Sequence, residues 1–210
     1  SKLIYNSPTF GDEVRTFCMN PNGEVVQENY NGISTVNGHS YAEKTTNNTN
    51  FALLVSEKFT EPFKEPIQYG QHIARLANML GGGILVQRFG DLLDGRRSTP
   101  ERIKSSIIKP TLTCATPGDL SLVIPYRQMT SIIEMLQALD KICPGTASRY
   151  TLLYGIEVKF YSARVKLTNE LETEGVKNLF AIGDGAGVTR GLIQASASGV
   201  HVARTICARG

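Results

Sequence analysis

The residues best suited to chemistry lie near the carboxyl end, in the segment NLFAIGDGAGVTRGLIQASASG at positions 178–199. A short apolar run at 179–182 precedes a glycine-rich turn, and a stretch with helical spacing follows. Strand, glycine-rich turn and helix is an arrangement that binds phosphate, because the first amides of a helix are unpaired and carry partial positive charge. Asp184, at the end of the apolar run, can accept hydrogen bonds from sugar-like hydroxyls. The segment therefore favours a ligand that carries both hydroxyl and phosphate groups.

The spacing of the glycines differs from the dinucleotide-binding fingerprint. Gly183 and Gly185 are followed by Val188, and Gly185 and Gly187 are followed by Arg190, so neither pair completes G-x-G-x-x-G. The sequence accordingly lacks a first nucleotide-binding turn. A second interpretation stays open, in which these glycines serve only a tight connection between a strand and a helix.

Metal and disulfide chemistry are disfavoured by the positions of the cysteines and histidines. The residues concerned are Cys18, Cys114, Cys143, Cys207, His39, His72 and His201. The cysteines show no C-x-x-C spacing, and the histidines lie far from them along the chain. Such scattered thiols fit a reducing cytoplasm, and neither a disulfide framework nor a metal site is predicted. Cys18 is interpreted as a buried thiol without a redox role.

Catalytic residues are not identified by sequence, because no acid–base pair stands out. Glu157 lies in a β-like segment at 150–165, where it is either a carboxylate in a dry site or a member of a structural ion pair. Arg190 lies near the predicted start of the last helix. It would either stabilise negative charge on a bound cofactor or contact only solvent.

Strands and turns are predicted for the first 60 residues. Segments 14–17 and 25–26 are short β-type runs on either side of a turn at 20–23. A polar stretch at 29–50 follows, and the apolar run at 51–55 suits a buried strand.

Two helices in the middle of the chain are predicted from apolar spacing and capping residues. The first covers 68–80 and ends at the three glycines 81–83. A second helix is predicted to start within 98–101, where Ser98 is the capping residue and Pro100 lies in the first turn.

Two further helices follow. One covers about 130–142, where Ser131 and Glu134 have the spacing of a capping box. The last begins near 189–191 and runs to about Arg204. Together with the strands, these helices predict a mixed α/β (α+β) fold.

The composition is that of an ordinary globular protein. Of the 210 residues, 41% are hydrophobic and 20% are charged, and the net charge is +3, so a disordered chain and a nucleic-acid-binding protein are both disfavoured. No apolar run approaches the ~20 residues of a membrane span. The chain opens with Ser1 and Lys2, so further sequence is expected upstream.

Several segments resemble a family of flavoproteins. Thr168 and Gly175, upstream of NLFAIGDGAG, resemble the second FAD-binding motif of two-part flavoproteins. Five more segments are similar to the uncharacterised FAD-utilising dehydrogenases, which are distant relatives of geranylgeranyl-reductase-like flavoproteins. They are VRTFCMNPNGEVV (14–26), VNGHSY (36–41), GRRSTPERI (95–103), PGDL (117–120) and LLYGIEVKFYSARV (152–165). The chain departs from the family at Asn20 and Asn22, where family members often carry a second cysteine and a glycine.

The resemblance implies a flavin site around the glycine-rich turn. Asp184 would hold the ribityl chain of FAD, and the helix that follows would point its amino end toward the flavin and the pyrophosphate. The implied cofactor-binding residues are Gly183, Asp184, Gly185, Ala186, Gly187, Val188 and Thr189.

The resemblance also implies a division into two domains and a set of partners. Residues 1–165 would form a substrate or cap domain, and residues 166–210 would supply the last strand, turn and helix of a Rossmann-like FAD-binding domain. The expected partners are the amino-terminal FAD-binding half of the same protein and a small-molecule substrate, with no nucleic acid and no membrane. The full-length protein would be a cytoplasmic FAD-dependent oxidoreductase. This chain alone is expected to be inactive and to bind FAD weakly or not at all.

Two other functions remain as alternatives. In the first alternative, the chain is a non-catalytic domain that binds a substrate or a partner protein and docks on a flavin domain. Alternatively, it would belong to a flavoprotein that modifies RNA, which the mild charge and the lack of interleaved aromatic and basic residues disfavour.

Overall fold

Three small β-sheets and five helices make up the computed structural model, which describes residues 2–159 and 165–209. The chain divides into two units, Ser1–Val158 and Lys159–Gly210. The strands are β1 (Ile4–Asn6), β2 (Glu13–Asn20), β3 (Glu24–Tyr30), β4 (Ile33–His39), β5 (Asn50–Val55), β6 (Leu85–Arg88), β7 (Thr116–Pro117) and β8 (Leu152–Gly155). The helices are α1 (Pro66–Gly81), α2 (Phe89–Leu93), α3 (Pro100–Lys104), α4 (Tyr126–Asp140) and α5 (Leu192–Arg209). Helices and sheets both occur, as the mixed α/β fold class requires.

The strands of the first unit form an antiparallel sheet, a hairpin and a mixed sheet. The first sheet has the order β1-β2-β5, with Val14 paired to Val55. Strands β3 and β4 form the hairpin, whose turn at Asn31 and Gly32 has positive φ at both residues (50° and 79°). Two successive positive φ angles define the turn that suits the twist of a two-residue hairpin. The mixed sheet has the order β7-β6-β8, with β6 parallel to β7 and antiparallel to β8.

Helices α1 and α4 cover these sheets and close the core. The main core cluster consists of Ala77, Leu85, Phe89, Leu92, Leu120, Val123, Met129, Leu136 and Ile156. A second cluster joins Met135 and Leu139 of α4 to Val14 of β2. The stripe of apolar residues along α4 therefore serves both clusters, and burial of this stripe stabilises the helix against the sheets.

A side chain of α1 substitutes for a neighbouring strand at the edge of the hairpin. The Asn78 side chain accepts from the backbone N–H of Ser34 (2.8 Å) and donates to the Ser34 carbonyl (2.9 Å). Because the amide carries a donor and an acceptor side by side, it satisfies both backbone groups of Ser34, as a paired strand would. The contact fixes α1 against β4.

The helix at 68–80 is confirmed, and its end at the glycines is confirmed as well. Gly82 caps α1 in the left-handed conformation (φ 68°), and its N–H donates to the Asn78 carbonyl. The predicted strands at 14–17, 25–26 and 51–55 are also confirmed, as parts of β2, β3 and β5.

Two capping predictions were wrong. Thr99 caps α3 by accepting from the Arg102 N–H, whereas Ser98 is fully buried and donates to Asp91. Ser131 lies inside α4, which begins five residues earlier, and its hydroxyl donates to the Arg127 carbonyl (3.0 Å). Glu134 accepts instead from the hydroxyls of Ser7 and Thr9. Ser98 and Glu134 are thus used by tertiary contacts, which spacing alone does not reveal, and Ser131 is used by a hydrogen bond within its own helix.

The polar stretch at 29–50 and the β-like segment at 150–165 differ from expectation. The polar stretch contains a full strand, β4, which pairs with β3 along its whole length. Of the β-like segment, residues 152–155 form β8, and residues 160–164 lie outside the described residues.

The apolar run at 179–182 does not form the predicted buried parallel strand. Phe180 makes a single isolated bridge to Glu172, and Leu179 and Ile182 are about half exposed (51% and 45%). The run instead pairs antiparallel with the short segment 171–173, where the Thr173 N–H donates to the Leu179 carbonyl at 2.7 Å and the Ala181 N–H donates to the Leu171 carbonyl at 3.1 Å. A buried strand needs neighbours to satisfy its backbone groups, and the sheets formed by the described residues contain no strand from the second unit.

No helix in residues 2–159 and 165–209 is both long enough and apolar enough to span a membrane.

A bidentate ion pair joins α4 to the loop between β1 and β2, and it makes the stability of the first unit dependent on pH. Arg127 donates to both carboxylate oxygens of Asp12, at 2.8 and 2.6 Å, and this hydrogen bonding lowers the pKa of Asp12 from its usual 3.8. Because the folded pKa is the lower one, the stabilisation is complete above the ordinary pKa and is lost as the pH falls through the folded value.

We expect Asp12→Asn to lower the free energy of unfolding at pH 7. We also expect the difference from wild type to shrink steadily below about pH 4, where the unfolded carboxylate protonates. Urea unfolding of both proteins at several pH values measures this difference. A difference that stays constant down to pH 2 would contradict the role of the ion pair.

Candidate functional site

The predicted flavin-binding residues form one tight turn ahead of α5. Residues Asp184–Ala186 make a single 3-10 turn between two glycines in the left-handed region, Gly183 (φ 74°) and Gly187 (φ 69°). Residues with a Cβ rarely adopt such angles, so glycine is required at both ends of the turn. Helix α5 begins at Leu192, close to the predicted start, and extends to Arg209, beyond the predicted end.

The carboxylate of Asp184 lies at the amino end of α5 and organises the residues before it. One oxygen accepts from the Thr189 hydroxyl at 2.6 Å, and both oxygens lie 3.2 Å from the Gly191 backbone nitrogen. A carboxylate at this position is stabilised by the unpaired amides and the dipole of the helix. The same negative charge opposes a phosphate there, so this turn suits a ligand's hydroxyl groups better than its phosphates.

The glycine at the centre of the turn has open space beside it. A Cβ built on Gly185 would meet no atom within 4 Å, so packing within the chain does not explain a glycine here. Asp184 and Gly185 are exposed, whereas the side chain of Ala186 is buried. A ligand can therefore approach the backbone on the side of Gly185 and Asp184.

Helix α5 packs its small residues against the turn. The buried Ser198 hydroxyl accepts from the Gly183 N–H (3.1 Å) and donates to the Ala195 carbonyl (2.6 Å). A Cβ on Gly199 would lie 3.7 Å from the Ile182 side chain. These contacts hold the turn on the first half of the helix.

The far end of α5 is tied down by Arg209. Its guanidinium donates to Glu172 at 2.6 Å and to Glu170, and it lies over the Phe180 ring at 5.1 Å. The pKa of Glu172 is lowered, first by the hydrogen bond from Arg209 and then by the N–H of Asn178. This arginine therefore anchors both partners of the isolated bridge Glu172–Phe180 to the helix.

Thr168, which the resemblance places upstream of the strand, closes a local turn. Its hydroxyl accepts from the N–H groups of Glu170 and Glu172, both at 3.3 Å, and its backbone N–H donates to the Glu172 carbonyl at 2.9 Å. Sequence reasoning missed this turn and the Arg209 cluster, because neither produces a periodic pattern.

Of the other candidate residues, Glu157 and Cys18 lie far from the turn along the chain, and Arg190 directly follows it. Glu157 follows β8 and one of its carboxylate oxygens is buried, and Arg190 is exposed. Cys18 is half-buried in a bulge of β2, with φ 46°, and its carbonyl accepts from the Asn20 side chain at 2.6 Å. None of the four cysteines forms a disulfide. In the described part of the chain, no group of three or more His, Cys, Asp or Glu side chains is arranged to hold a metal ion.

Comparison with known proteins places the chain in a family. Residues 2–160 match the model of the family described as FAD-dependent protein, C-terminal domain-like. The chain belongs to this family. It is also 33% identical over 217 residues to an uncharacterized protein of Clostridium beijerinckii, and the alignment covers 98% of this chain and 40% of the relative. The chain thus spans less than half of that relative's length.

The family match indicates that the chain is the carboxy-terminal part of an FAD-dependent protein. The family match ends at residue 160, before the glycine-rich turn, and the alignment with the relative extends across nearly the whole chain. The more distant relation to geranylgeranyl-reductase-like flavoproteins stays a prediction.

The turn fits the hydroxyl-bearing part of FAD on three structural grounds. Asp184 offers an exposed carboxylate, which can accept hydrogen bonds from several hydroxyls. Gly185 leaves the backbone open to close approach, and the first amides of α5 lie next to the same carboxylate. The residues that would hold the cofactor are therefore Asp184 by its side chain and Gly185 by its backbone.

The Arg209 contacts predict the local stability of the second unit. We expect Arg209→Ala to increase amide hydrogen exchange over the last two turns of α5 and over residues 170–180, because both carboxylates and the aromatic ring lose their common partner. Arg204→Ala is the matched control, since Arg204 is also an exposed arginine of α5. Equal exchange in the two variants would show that the Arg209 contacts do not hold the helix.

Proposed function

We propose that the chain is part of an FAD-dependent oxidoreductase, to which it contributes the second half of the flavin site and a substrate domain. The observation that carries this proposal is the Asp184 carboxylate, held at the start of α5 beside a glycine with open space. Membership of a family of FAD-dependent proteins supports the choice of FAD among ligands that contain hydroxyls.

In this proposal each residue of the turn has a distinct task. Asp184 accepts hydrogen bonds from hydroxyls of the ribityl chain, and Thr189 holds the carboxylate in position by donating to it. The backbone from Gly183 to Val188 lies against the flavin, since the side chain of Ala186 is turned inward. When bound, FAD supplies the transfer of a hydride or electron pair through the flavin N5 atom.

The second unit presents apolar side chains that fit an interface with an amino-terminal FAD-binding half. On α5, Leu192 and Ile193 are 89% and 83% exposed, and Val200, which lies seven residues after Ile193 and therefore on the same side of the helix, is about half exposed. Exposed large apolar side chains on one side of a helix fit an interaction site. The half that carries the first nucleotide-binding turn would cover this surface and bind the pyrophosphate.

The first unit is proposed to bind a small-molecule substrate. A surface groove of about 460 Å³ lies along the amino-terminal half of α1. The surface that it exposes is mainly apolar, and its lining combines Phe63, Tyr69, Ile73 and Leu76 with the polar residues Glu65, Gln68 and His72. Binding sites for small organic molecules are concave and mostly apolar, with a few polar groups, and this groove has that character.

A series of substitutions at the turn tests the direct role of Asp184. In the full-length protein we expect Asp184→Ala to weaken FAD binding by about tenfold or more, because hydroxyls of the ligand lose a charged acceptor. We expect Asp184→Asn to weaken it less, because the amide oxygen still accepts a hydrogen bond. Flavin retained per protein after gel filtration and the FAD dissociation constant measure the effect.

The control variant is Thr189→Val, which removes the hydroxyl that holds Asp184 and keeps the carboxylate. If Asp184 contacts FAD directly, this variant should retain most of its flavin. If Thr189→Val and Asp184→Ala lose flavin equally, Asp184 acts by building the turn. If none of the variants changes the flavin content, the chain is a non-catalytic domain that docks on a flavin domain.

The dependence on an amino-terminal half is tested by comparing this chain with the full-length protein. We expect the full-length protein to retain bound flavin through gel filtration and this chain to lose it, because the pyrophosphate lacks its main binding site in the chain alone. Flavin absorbance relative to protein absorbance gives the stoichiometry. A stoichiometric, tightly held flavin on the chain alone would contradict the proposal of a divided site.

A further inference from the structure

Five arginines gather around one end of the mixed sheet in the first unit. They are Arg88, Arg96, Arg97, Arg102 and Arg149. Arg88 ends β6, Arg96 and Arg97 follow α2, and Arg149 precedes β8, which runs antiparallel to β6. The cluster therefore lies beyond the carboxyl ends of the parallel strands β6 and β7. Open α/β sheets bind ligands at that edge.

A buried carboxylate beneath the cluster fixes the position of Arg96. Asp91 is fully buried, and it accepts from Arg96 Nε at 3.0 Å and from the Ser98 hydroxyl at 2.7 Å. The Ser98 oxygen also accepts from the backbone N–H of Arg88 at 2.8 Å. A buried carboxylate must be paired to be tolerated, so these contacts constrain the Arg96 side chain.

A buried amide fixes the two loops at the same edge. Gln87 is fully buried and donates to the Arg96 carbonyl at 2.9 Å and to Asp119 at 3.3 Å. Its side-chain oxygen accepts from the Leu120 N–H at 2.8 Å. The segment before α3 and the segment that follows β7 are thus attached to β6 through one side chain.

Because Gly90 has no side chain, the segment that carries Arg149 can pack closely against α2. The Gly90 N–H donates to the Arg149 carbonyl at 3.0 Å, and a Cβ on Gly90 would lie 2.8 Å from the Arg149 Cβ and 2.9 Å from its carbonyl oxygen. Any larger residue would push the segment that carries Arg149 away from α2. The Arg149 guanidinium reaches Asp94, which caps that helix.

Two guanidiniums converge on Asp94 at the surface. Arg96 lies 3.1 Å from the Asp94 carboxylate and Arg149 donates to the same oxygen, while the two arginine side chains remain 47% and 55% exposed. The pKa of Asp94 is lowered, first by the hydrogen bond from Arg149, with further contributions from the charges of Arg96 and Arg102. One carboxylate thus faces three arginines.

The donors of these arginines exceed the acceptors that they contact. Each guanidinium carries five N–H donors. Arg149 donates to Asp94 and the Gly90 carbonyl, and Arg96 donates to Asp91 and Asp94. Four carboxylates accompany the five arginines, namely Asp91, Asp94, Glu101 and Asp119, so the cluster keeps a net positive charge.

We propose that Arg96 and Arg149, supported by Arg102, form a binding site for a phosphate group of a small molecule, with Asp94 occupying the site when the ligand is absent. Guanidinium forks match phosphate oxygens in pairs, and a phosphate offers more acceptor atoms than the single carboxylate that it replaces. The site lies entirely in the first unit and does not depend on the proposed flavin site.

Titration of the chain with inorganic pyrophosphate at low ionic strength, followed by isothermal calorimetry, tests the proposal. We expect saturable binding at one site, and we expect Arg149→Gln to weaken it by about tenfold or more, because a charge-assisted pair of hydrogen bonds is lost. Arg149 is the better target than Arg96, because its loss leaves the buried Asp91 paired. Arg75→Gln is the matched control, since Arg75 is an exposed arginine of α1 outside the cluster.

Asp94→Asn separates ligand binding from a structural role of the arginines. If a phosphate displaces Asp94, removal of the competing charge should strengthen pyrophosphate binding several-fold. If the arginines serve only to hold Asp94, the variant should lose thermal stability and gain no affinity, and the proposal is wrong. Equal weakening by Arg149→Gln and Arg75→Gln would likewise overturn it, because the binding would then reflect only the general positive charge.

Discussion

The buried carboxylate of Asp91 is the constraint around which the mixed sheet of the first unit is organised. A charge fully removed from water is tolerated only when it is paired and hydrogen-bonded, and here Arg96 and Ser98 supply those contacts. To do so, the chain must turn back after α2, which Gly95 allows with a φ of 65°. The position of Asp91 thus determines how the chain leaves β6 and where α3 begins.

The two units differ in what holds them together. The first has a continuous apolar core between its sheets and α1 and α4. In the described part of the second unit, Ala186 and Val202 are the buried apolar residues, and the contacts that order α5 are polar: Asp184 at its start, Ser198 in the middle and Arg209 at its end. A unit with so little buried apolar surface gains much of its order from directional contacts, which tolerate fewer substitutions.

Local signals in the sequence predicted the elements better than their contacts. The apolar spacing of α1 and its terminal glycines gave the correct helix. Strands β2 and β3 were located from β-type residues on either side of a turn, and β5 was located from its apolar run. Strand β4 was missed although Asn31 and Gly32 are a strong hairpin signal, because the polar residues around them suggested a loop. Ser98 was taken for a helix cap because it stands at the right place in a capping pattern. Its hydrogen bond to the buried Asp91 depends on the fold, which that pattern does not reveal.

The residues proposed for the candidate site were chosen from the sequence, and their geometry was not predictable from it. The glycines and Asp184 stand out in the sequence, since positive φ angles and a carboxylate at a helix start have recognisable patterns. A buried parallel strand at 179–182 would need neighbouring strands, and the local sequence does not reveal whether they are present. The arginine cluster at Asp94 escaped prediction because it depends on a contact between Arg149 and Asp94, which lies 55 positions earlier.

The hydrogen bonds from Thr189 and Gly191 to Asp184 would affect the rate and the entropy with which a ligand binds to the turn. They set the carboxylate and the turn in one conformation within the chain itself, so a ligand arriving there does not have to order them. Ordering a flexible loop opposes binding by an entropic cost for each immobilised residue, and a preformed turn avoids that cost. An encounter at this turn would then be limited by diffusion and by the docking of neighbouring surfaces, with no slow rearrangement of the loop.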